Sequence, residues 1–422
     1  MSSRKTACII LAAGKSTRMR SSLPKVLHPL CGRPMLRYVL DQANEFKTGP
    51  CVAVLGYKHE QVAACLSGNV RIAVQKEING TASAVSQALG LLKDFRGDVV
   101  VLYGDMPLLK ADTLKKLVAE HRGSGAAATV LTAVVEDAAE YGRIVRDEYS
   151  AIRGIVEAAE ADGYQKEIKE INTGIVCFDK DCLAASLKKV KPRNRKKEYY
   201  LTDCIGILYS MGKAVGGMRV KDNREGMGVN SRFELAAANV IMQARLNESY
   251  MKQGVSLTAP ETVFINYDTK IGQDTVIYPF TVIERDVRIG KNCSIGPFAH
   301  LREGTRLADN VCAGNFIEMV RANVGENVFV KHFSYLGDTR VGRGVNIGAG
   351  TVTANFDGAN KHNTVIGDNA FIGSDTVLIA PVRVGRGAKT GAGSVVTRGR
   401  SVPDGGVVAG VPARVLNRSK RR

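Results

Sequence analysis

The chain has 422 residues, of which 45% are hydrophobic and 24% charged, and its formal net charge is +18. This length predicts two or three domains, and the composition excludes a disordered or fibrous chain. The charge alone is compatible with nucleic acid, an acidic membrane surface or phosphorylated small molecules, although most Lys and Arg are dispersed outside the basic runs at 191–197 and 418–422.

Short apolar runs alternate with helical patterns over the first 230 residues. Strands are predicted at 7–11, 51–55 and 99–103, and helices at 35–44 and 81–92. This alternation indicates a mostly parallel α/β sheet, in which ligands bind beyond the carboxyl ends of the strands.

The nine cysteines are scattered without a CxxC pair or a zinc-type Cys/His cluster. They are therefore expected to be reduced thiols rather than disulfides or metal ligands. The first apolar run is too short for a signal peptide or a membrane span. We expect a cytoplasmic protein that does not insert into a membrane.

The first candidate site follows the first predicted strand. The string Leu11-Ala12-Ala13-Gly14-Lys15-Ser16-Thr17-Arg18-Met19, with Lys25 shortly after it, places a turn of small residues at a strand end. Backbone N–H groups of such a turn approach phosphate oxygens closely, and Arg18 and Lys25 would neutralise a triphosphate. The spacing matches neither a Walker A loop nor GxGxxG.

This string resembles the signature of the sugar-1-phosphate nucleotidyltransferases. The resemblance implies that Asp105 and Asn230 hold Mg²⁺, that Arg18 and Lys25 assist catalysis, and that uridine triphosphate (UTP) is the nucleotide. The residues implied to bind UTP and the sugar phosphate are Leu11, Ala12, Ala13, Gly14, Lys25, Gln75, Gly80, Thr81, Tyr103, Gly104, Asp105, Gly142, Glu157, Asn172 and Asn230. Asn79, Ala82 and Ser83 depart from the pattern of the family, so base and sugar contacts are expected to be retuned.

A long Ala-rich helix is predicted at 233–251, and a six-residue repeat begins after it. Aliphatic residues recur in register from Ile271 to Leu307, from Val330 to Ile347 and from Ile366 to Val396. A hexapeptide period is typical of a parallel β-helix, in which one aliphatic side chain per face points into a stacked core.

The second candidate site lies within these repeats. His332 can take a proton near neutral pH, as acyl transfer to an amine requires. Glu318 lies about one coil earlier, and the stretch 354–361 interrupts the hexads after it. Loops that project from a repeat fold commonly carry binding or catalytic residues.

Over nearly its whole length the chain resembles the family of bacterial bifunctional N-acetylglucosamine-1-phosphate uridyltransferase and glucosamine-1-phosphate N-acetyltransferase enzymes. The resemblance implies a Rossmann-like nucleotidyltransferase domain at 1–230, a connecting helix at 231–253 and a left-handed parallel β-helix acyltransferase domain at 254–422. It also implies acetyl-CoA as the acetyl donor and a homotrimer.

In this family the residue matching His332 is the general base, the one matching Glu318 orients it, and the one matching Asn355 assists. The other residues implied to line the acetyltransferase site are Arg302, Tyr335, Asn346, Ala349, Lys361, Ser374 and Ala392. Val320 replaces a lysine that binds the sugar phosphate, and Phe356 lacks the hydroxyl of the usual tyrosine.

The predicted function is therefore two steps of UDP-N-acetylglucosamine synthesis: acetylation of glucosamine-1-phosphate, then transfer of UMP from UTP with release of pyrophosphate. Two alternatives remain. One is a single-activity nucleotidyltransferase whose β-helix only oligomerises, and the other is a regulatory scaffold of the nucleotide-exchange type. Nucleic-acid binding is not expected, because no recognised module or basic–aromatic interleaving is present.

Overall fold

The computed structural model describes residues 4–15, 17–47, 49–66, 68–138 and 140–416. Ser16 and the basic run at 418–422 therefore lie outside the described residues. Contacts between residues divide the chain into two compact units, with the boundary between Asn239 and Val240.

The first unit contains eleven strands among its described residues. They are β1 (Lys5–Ala12), β2 (Pro29–Leu30), β3 (Arg33–Pro34), β4 (Cys51–Leu55), β5 (Val70–Val74), β6 (Gly97–Tyr103), β7 (Ala128–Val134), β8 (Arg143–Arg146), β9 (Ile152–Val156), β10 (Glu170–Asp179) and β11 (Val215–Arg219).

Seven helices accompany these strands, and an eighth crosses the boundary between the units. They are α1 (Met35–Phe46), α2 (His59–Ala63), α3 (Thr81–Gly90), α4 (Ala111–Ser124), α5 (Gly163–Lys166), α6 (Lys180–Leu187), α7 (Asp203–Ser210) and α8 (Arg232–Lys252).

The main sheet has the order β11-β7-β10-β6-β1-β4-β5, with β8 and β9 attached beside β10. All pairs along this order are parallel except those of β10, which is antiparallel to β6 and β7. From β1 the chain moves outward through β4 and β5, then returns to the other side of β1 as β6. This reversal opens a crevice outside the carboxyl ends of β1 and β6.

Both faces of this sheet are covered, which explains its continuous apolar strands. Alternate residues of β1 enter opposite cores: Ile9 packs on one side and Ile10 on the other, and both are fully buried. Such burial stabilises the fold by about 1.5–3 kcal/mol per large aliphatic side chain.

The second unit is a three-sided parallel β-helix. Its strands are β12 (Ser256–Leu257), β13 (Phe264–Ile265), β14 (Lys270–Ile271), β15 (Val276–Ile277), β16 (Val282–Ile283), β17 (Arg288–Ile289), β18 (Ser294–Ile295), β19 (His300–Leu301), β20 (Arg306–Leu307), β21 (Cys312–Val320), β22 (Asn323–Val324), β23 (Phe329–Gly337), β24 (Thr339–Val341), β25 (Asn346–Ile347), β26 (Val352–Ala354), β27 (Thr364–Ile366), β28 (Phe371–Ile372), β29 (Val377–Ile379), β30 (Val382–Val384), β31 (Lys389–Thr390), β32 (Val395–Val396), β33 (Ser401–Val402), β34 (Val407–Ala409) and β35 (Arg414–Val415).

The hexapeptide prediction is confirmed by the position of its aliphatic residues. Ile277, Ile283 and Ile295 are fully buried and belong to one continuous core that runs from Tyr250 to Val408. Apart from β35, which is antiparallel to β34, the strands pair in parallel from one coil to the next, as Ile277 does with Ile295. The six-residue period therefore corresponds to one inward-pointing aliphatic side chain on each face of each coil.

Three coils depart from the 18-residue length. Leu307 pairs with Val324, and Val324 with Val341, so that each of these two coils is one residue shorter. Val341 pairs with Ile366, and the additional residues form the inserted stretch that begins at Asn355. The insertion is accommodated without breaking the core, since Val341 and Ile366 are both buried.

Candidate functional site

The crevice beside β1 and β6 holds a cleft of about 500 Å³. Small residues at the end of β1 and directly after it, Ala12, Ala13 and Gly14, form one wall of the cleft. Tyr103 at the end of β6 and Asp105 after it line the cleft beside them. A site of this size, with backbone amides at a strand end, is suited to a nucleotide.

A cationic side chain lies between the two predicted metal ligands. The Lys25 ammonium forms an ion pair with the Asp105 carboxylate and donates a hydrogen bond of 2.8 Å to the Asn230 side-chain oxygen. Val229 N–H donates to the Asp105 carbonyl, which keeps the two segments together. One carboxylate and one amide oxygen beside a cation form a donor set that suits Mg²⁺, which keeps waters and substrate phosphates as its other ligands.

The predicted base-reading residues lie at the start of α3. Gln75 donates a hydrogen bond of 3.1 Å from its amide to the Gly80 carbonyl, and the Thr81 hydroxyl accepts one from the Leu201 N–H. Gly80 has φ +120°, and a Cβ there would lie 2.3 Å from the Tyr199 carbonyl oxygen. Only glycine fits this close approach of two backbones.

The other end of the cleft carries the predicted sugar-binding residues. The Thr202 hydroxyl donates a hydrogen bond of 2.9 Å to the Glu157 carboxylate, and Asn172 accepts one from the Gly174 N–H. These contacts fix the side chains in place while leaving other polar atoms of Glu157 and Asn172 for a ligand.

Carboxylates make this end of the cleft acidic. Burial raises the pKa of the Tyr103 hydroxyl well above its usual value, and Glu157 and Asp105 add to the effect. Burial, followed by Glu157, also raises the pKa of Asp203. Tyr103 therefore stays protonated at neutral pH and can donate a hydrogen bond.

Two predicted residues do not line the cleft. Arg18 is about half exposed and pairs with Glu140, whereas Gly104 lies beneath the cleft against Val26 and Leu36. Met106, Glu140 and Lys196 also line the cleft and were not predicted. Glu198, Tyr200 and Thr202 line it as well, and they belong to a segment that the family resemblance assigns to sugar binding. The basic run at 191–197 was a signal for Lys196, because it contains that residue.

The second candidate site lies on the middle coils of the β-helix. Arg302 donates a hydrogen bond of 2.8 Å to the Glu318 carboxylate, and the backbone of Glu318 pairs with that of Tyr335. The Tyr335 hydroxyl lies 3.5 Å from the Asn355 side-chain oxygen. Asn355 is buried and donates to the carboxylate of Asp338 at 2.5 Å.

No role in this site was predicted for Asp338. It forms a bidentate ion pair with Arg321, whose hydrogen bonds hold the pKa of the Asp338 carboxyl below its usual value. A charged Asp338 orients the Asn355 amide, so that the Asn355 oxygen points toward Tyr335. The only signal for Asp338 in the sequence was its position three residues after Tyr335.

His332 is exposed on β23, and its backbone pairs with Asn315. Within the described ranges no hydrogen bond joins His332 to Glu318, whose carboxylate is bound to Arg302 instead. The two side chains therefore lie on neighbouring coils without a hydrogen bond or ion pair between them in the described part of the chain.

Three further predicted residues follow one another along the β-helix. The Ala349 carbonyl accepts a hydrogen bond from the Asp375 N–H, directly after Ser374, and the Ser374 carbonyl accepts one from the Gly393 N–H, directly after Ala392. Ala349, Ser374 and Ala392 thus form one row across three coils. Asn346 lies on the coil of Ala349 and is half-buried.

The inserted stretch is tied down by a charged cluster. His362 and Arg398 both contact the Asp357 carboxylate, at 2.6 and 3.2 Å. Backbone pairing joins Phe356 to Lys361, which is exposed. Lys361 lowers the pKa of Asp338, after the larger effects of Arg321 and Asn355.

Comparison with known proteins assigns a protein family to each half of the chain. Residues 8–191 match the MobA-like NTP transferase domain, and residues 268–303 and 363–398 match the bacterial transferase hexapeptide family of six repeats. The second unit is accordingly a left-handed parallel β-helix, as predicted. Among the described residues, no helix is long and apolar enough to cross a membrane.

Several relatives are similar over almost the full length of the chain. "Bifunctional protein GlmU" of Shouchella clausii is 42% identical, with 89% of this chain and 90% of the relative covered. The protein of the same name from Pelotomaculum thermopropionicum is 44% identical over the same shares. That of Listeria monocytogenes serotype 4a is 41% identical, with 95% of this chain and 94% of the relative covered.

Proposed function

Because this chain belongs to the family of bifunctional GlmU proteins, we propose that its two candidate sites carry out successive steps on one sugar phosphate. The enzyme is a transferase with a nucleotidyltransferase domain and a hexapeptide acyltransferase domain. It acetylates glucosamine-1-phosphate and then forms UDP-N-acetylglucosamine with release of pyrophosphate.

The observation that carries the nucleotidyl step is the cluster of Lys25, Asp105 and Asn230 in a nucleotide-sized cleft. A phosphate oxygen of the sugar attacks the α-phosphorus of UTP, and pyrophosphate leaves as the bond to the β-phosphate oxygen breaks. Asp105 and Asn230 would hold Mg²⁺, which neutralises phosphate charge when bound. Lys25 places a further positive charge beside the phosphates, and backbone groups after β1 orient them.

The proposed recognition of the base and of the sugar is supported by residues at the two ends of the cleft. Gln75, Gly80 and Thr81 are positioned to read a uracil, and Glu157 and Asn172 to contact an N-acetylated sugar. Arg18 lies outside the cleft in this structure, so its contribution requires the triphosphate to draw it from Glu140.

For acetyl transfer, the amine of glucosamine-1-phosphate attacks the thioester carbonyl of acetyl-CoA. His332 takes the proton from the amine, the carbon–sulfur bond breaks, and CoA leaves as the thiol. The Ala349 N–H would stabilise the oxyanion, while Arg302, Tyr335, Asn346 and Lys361 would hold the sugar phosphate. Ser374 and Ala392 would line the acetyl-CoA groove.

We also propose a homotrimer that works in the cytoplasm, where its nucleotide and acetyl-CoA substrates are made. Outward apolar residues on the β-helix favour self-association, for example Phe264, Phe329 and Phe371, which are 54%, 41% and 47% exposed. Light scattering after gel filtration measures the mass of the assembly.

One experiment separates the proposed function from its alternative. Pyrophosphate release is measured with UTP, dTTP, CTP, ATP and GTP, each with glucosamine-1-phosphate and its N-acetylated form, and thiol release is measured with acetyl-CoA. We expect UTP with the N-acetylated sugar to be preferred, and free CoA to appear. Pyrophosphate release without any thiol release would favour a β-helix that only oligomerises, an alternative that Val320 supports.

A further inference from the structure

One outward row of the β-helix is basic. In the sheet of eight strands from β14 to β33, the residue before each buried aliphatic faces outward, and these residues pair in register from coil to coil. This row, called the basic row below, consists of Lys270, Arg288, Arg306, Asn323, Arg340, Val365, Arg383 and Ser401.

The other two faces lack such a row, although they have the same repeat. At the equivalent positions one face has Phe264, Val282, His300, Glu318, Tyr335, Val352, Val377 and Val395. The other face has Ser256, Val276, Ser294, Cys312, Phe329, Asn346, Phe371, Lys389 and Val407, with one cation. The hexapeptide fold therefore does not by itself require cations at this position.

Most cations of the basic row make no direct ion pair. Arg306 contacts Asp286 at 2.7 Å, but in the part of the chain that the structure describes the side chains of Lys270, Arg288, Arg340 and Arg383 make no hydrogen bond or ion pair. Arg288 and Arg383 interact with carboxylates only at longer range, with Asp286 and Asp404 respectively. Like charges on adjacent strands repel each other and destabilise the sheet. A bound anion would relieve this repulsion.

A neighbouring row on the following turn shows the contrast. It contains both cations and carboxylates, which pair along the axis: Arg386 contacts Asp404 at 3.2 Å and Arg343 contacts Asp368 at 3.8 Å. The same solenoid thus carries one neutralised row beside one in which most cations, among the described residues, have no direct ion pair.

The face that carries the basic row has few bulky side chains beside the row, which leaves it open along the helix axis. Glycine or alanine follows the buried aliphatic on seven of the eight strands: Gly272, Gly290, Ala308, Gly325, Gly342, Gly367 and Gly385. Eight strands at their usual spacing extend for about 34 Å. In the middle, a depression of about 280 Å³ is lined by Arg321, Asn323, Arg340 and Asn363, and also by Asp338, whose charge Arg321 neutralises.

We propose that the basic row binds a linear chain of phosphates lying along the β-helix axis. A line of cations on a narrow strip matches a single polyanion, with one phosphate seated in the depression beside Arg340. Carboxylates on the turns at both edges, such as Asp286 and Asp309, would repel a planar anionic surface but leave room for a single chain. The row contains no aromatic side chain, so the contacts are to phosphate and not to bases.

The test uses the full-length enzyme and two phosphate chains, inorganic polyphosphate of about 25 units and a single-stranded oligonucleotide of about 20 residues. Binding is followed by fluorescence anisotropy against salt concentration. In the variant Arg288→Gln/Arg340→Gln we expect about tenfold weaker binding, with a slope of log K against log salt that is shallower by about 1.4.

The matched control is Arg343→Gln/Arg386→Gln, which removes the same charge from the neutralised row and should bind almost as well as the unaltered enzyme. The two polymers tell whether the phosphate chain is a polyphosphate or a polynucleotide. Equal losses in both variants, no binding of either polymer at low salt, or binding only to vesicles of anionic lipid would each overturn the proposal. Pyrophosphate and thiol release should stay unchanged in both variants, which separates this result from the proposed function.

Discussion

Lys25 donates a hydrogen bond to the Asn230 side-chain oxygen across 205 positions of the chain, and its ammonium also pairs with Asp105. This contact joins the loop after the first strand to the segment that precedes α8. It places one positive charge where phosphate oxygens are to be neutralised, beside the two side chains that would hold Mg²⁺.

We therefore expect Lys25→Gln to lower kcat for nucleotidyl transfer by about 10²–10³-fold, the loss typical of a group that stabilises transition-state charge. Acetyl transfer should be unaffected, because the residues implied in it all lie on the β-helix. Pyrophosphate and thiol release from one preparation measure both steps. The control is Lys188→Gln on the exposed end of α6, and equal activity of the two variants would contradict the role of Lys25.

For acetyl transfer, we expect His332→Gln to reduce thiol release by about 10²–10⁴-fold, since a general base contributes this much. Pyrophosphate release from UTP and the N-acetylated sugar should remain. His59→Gln, at an exposed position of α2, is the control. If His332→Gln kept full thiol release, another group would have to accept the proton.

The close approach at Gly80 gives a prediction for stability. Gly80→Ala would force a Cβ to 2.3 Å from the Tyr199 carbonyl at a φ of +120°, and should cost about 2 kcal/mol or more. Gly90→Ala, in the same helix α3 with open space around the new methyl group, should stabilise by about 0.5–1 kcal/mol. Urea unfolding of the two variants compares them, and opposite signs are expected.

The ion pair between Arg321 and Asp338 gives a prediction for pH. Since Arg321 lowers the pKa of Asp338, the stabilisation is present above the unfolded pKa near 4 and is lost as pH falls through the folded value. Arg321→Gln should therefore lower stability by about 1 kcal/mol at pH 7, and by less at pH 3. Urea unfolding at both pH values measures this.

The control for this pH effect is Arg386→Gln, whose partner Asp404 is more exposed. The stability lost at pH 7 in Arg386→Gln should be smaller than that lost in Arg321→Gln. A penalty for Arg321→Gln that is the same at pH 3 and pH 7 would show that packing, and not the charge of Asp338, carries the effect.

The hexads allowed the β-helix to be predicted from sequence because the inward position of a solenoid repeats. Asp105 and Asn230 were predicted as a pair by resemblance, and the end of β6 is where such a carboxylate is expected. The partner of Glu318 was not predictable, because Arg302 reaches it from another coil. Gly80 was predicted by resemblance as a binding residue, but its close approach to Tyr199 was not predictable, because it depends on a segment far along the chain.

The basic row left a signal in the sequence that hexad analysis overlooks. Lys270, Arg288 and Arg306 recur every 18 residues, directly before an aliphatic. A search at the period of the coil, rather than of the hexad, would have found them. Counting Lys and Arg over the whole chain therefore does not reveal that several of them form one line along the β-helix.

The stacking of the β-helix also bears on how heat inactivates the enzyme. Each coil contacts mainly its immediate neighbours, so opening can start at a free end and propagate inward one coil at a time. Glu318, His332 and Asn355 lie on central coils, with further strands stacked on both sides. Fraying of β33 to β35 would therefore leave the acetyl-transfer residues intact, and hydrogen exchange should rise at the last coil well before thiol release declines.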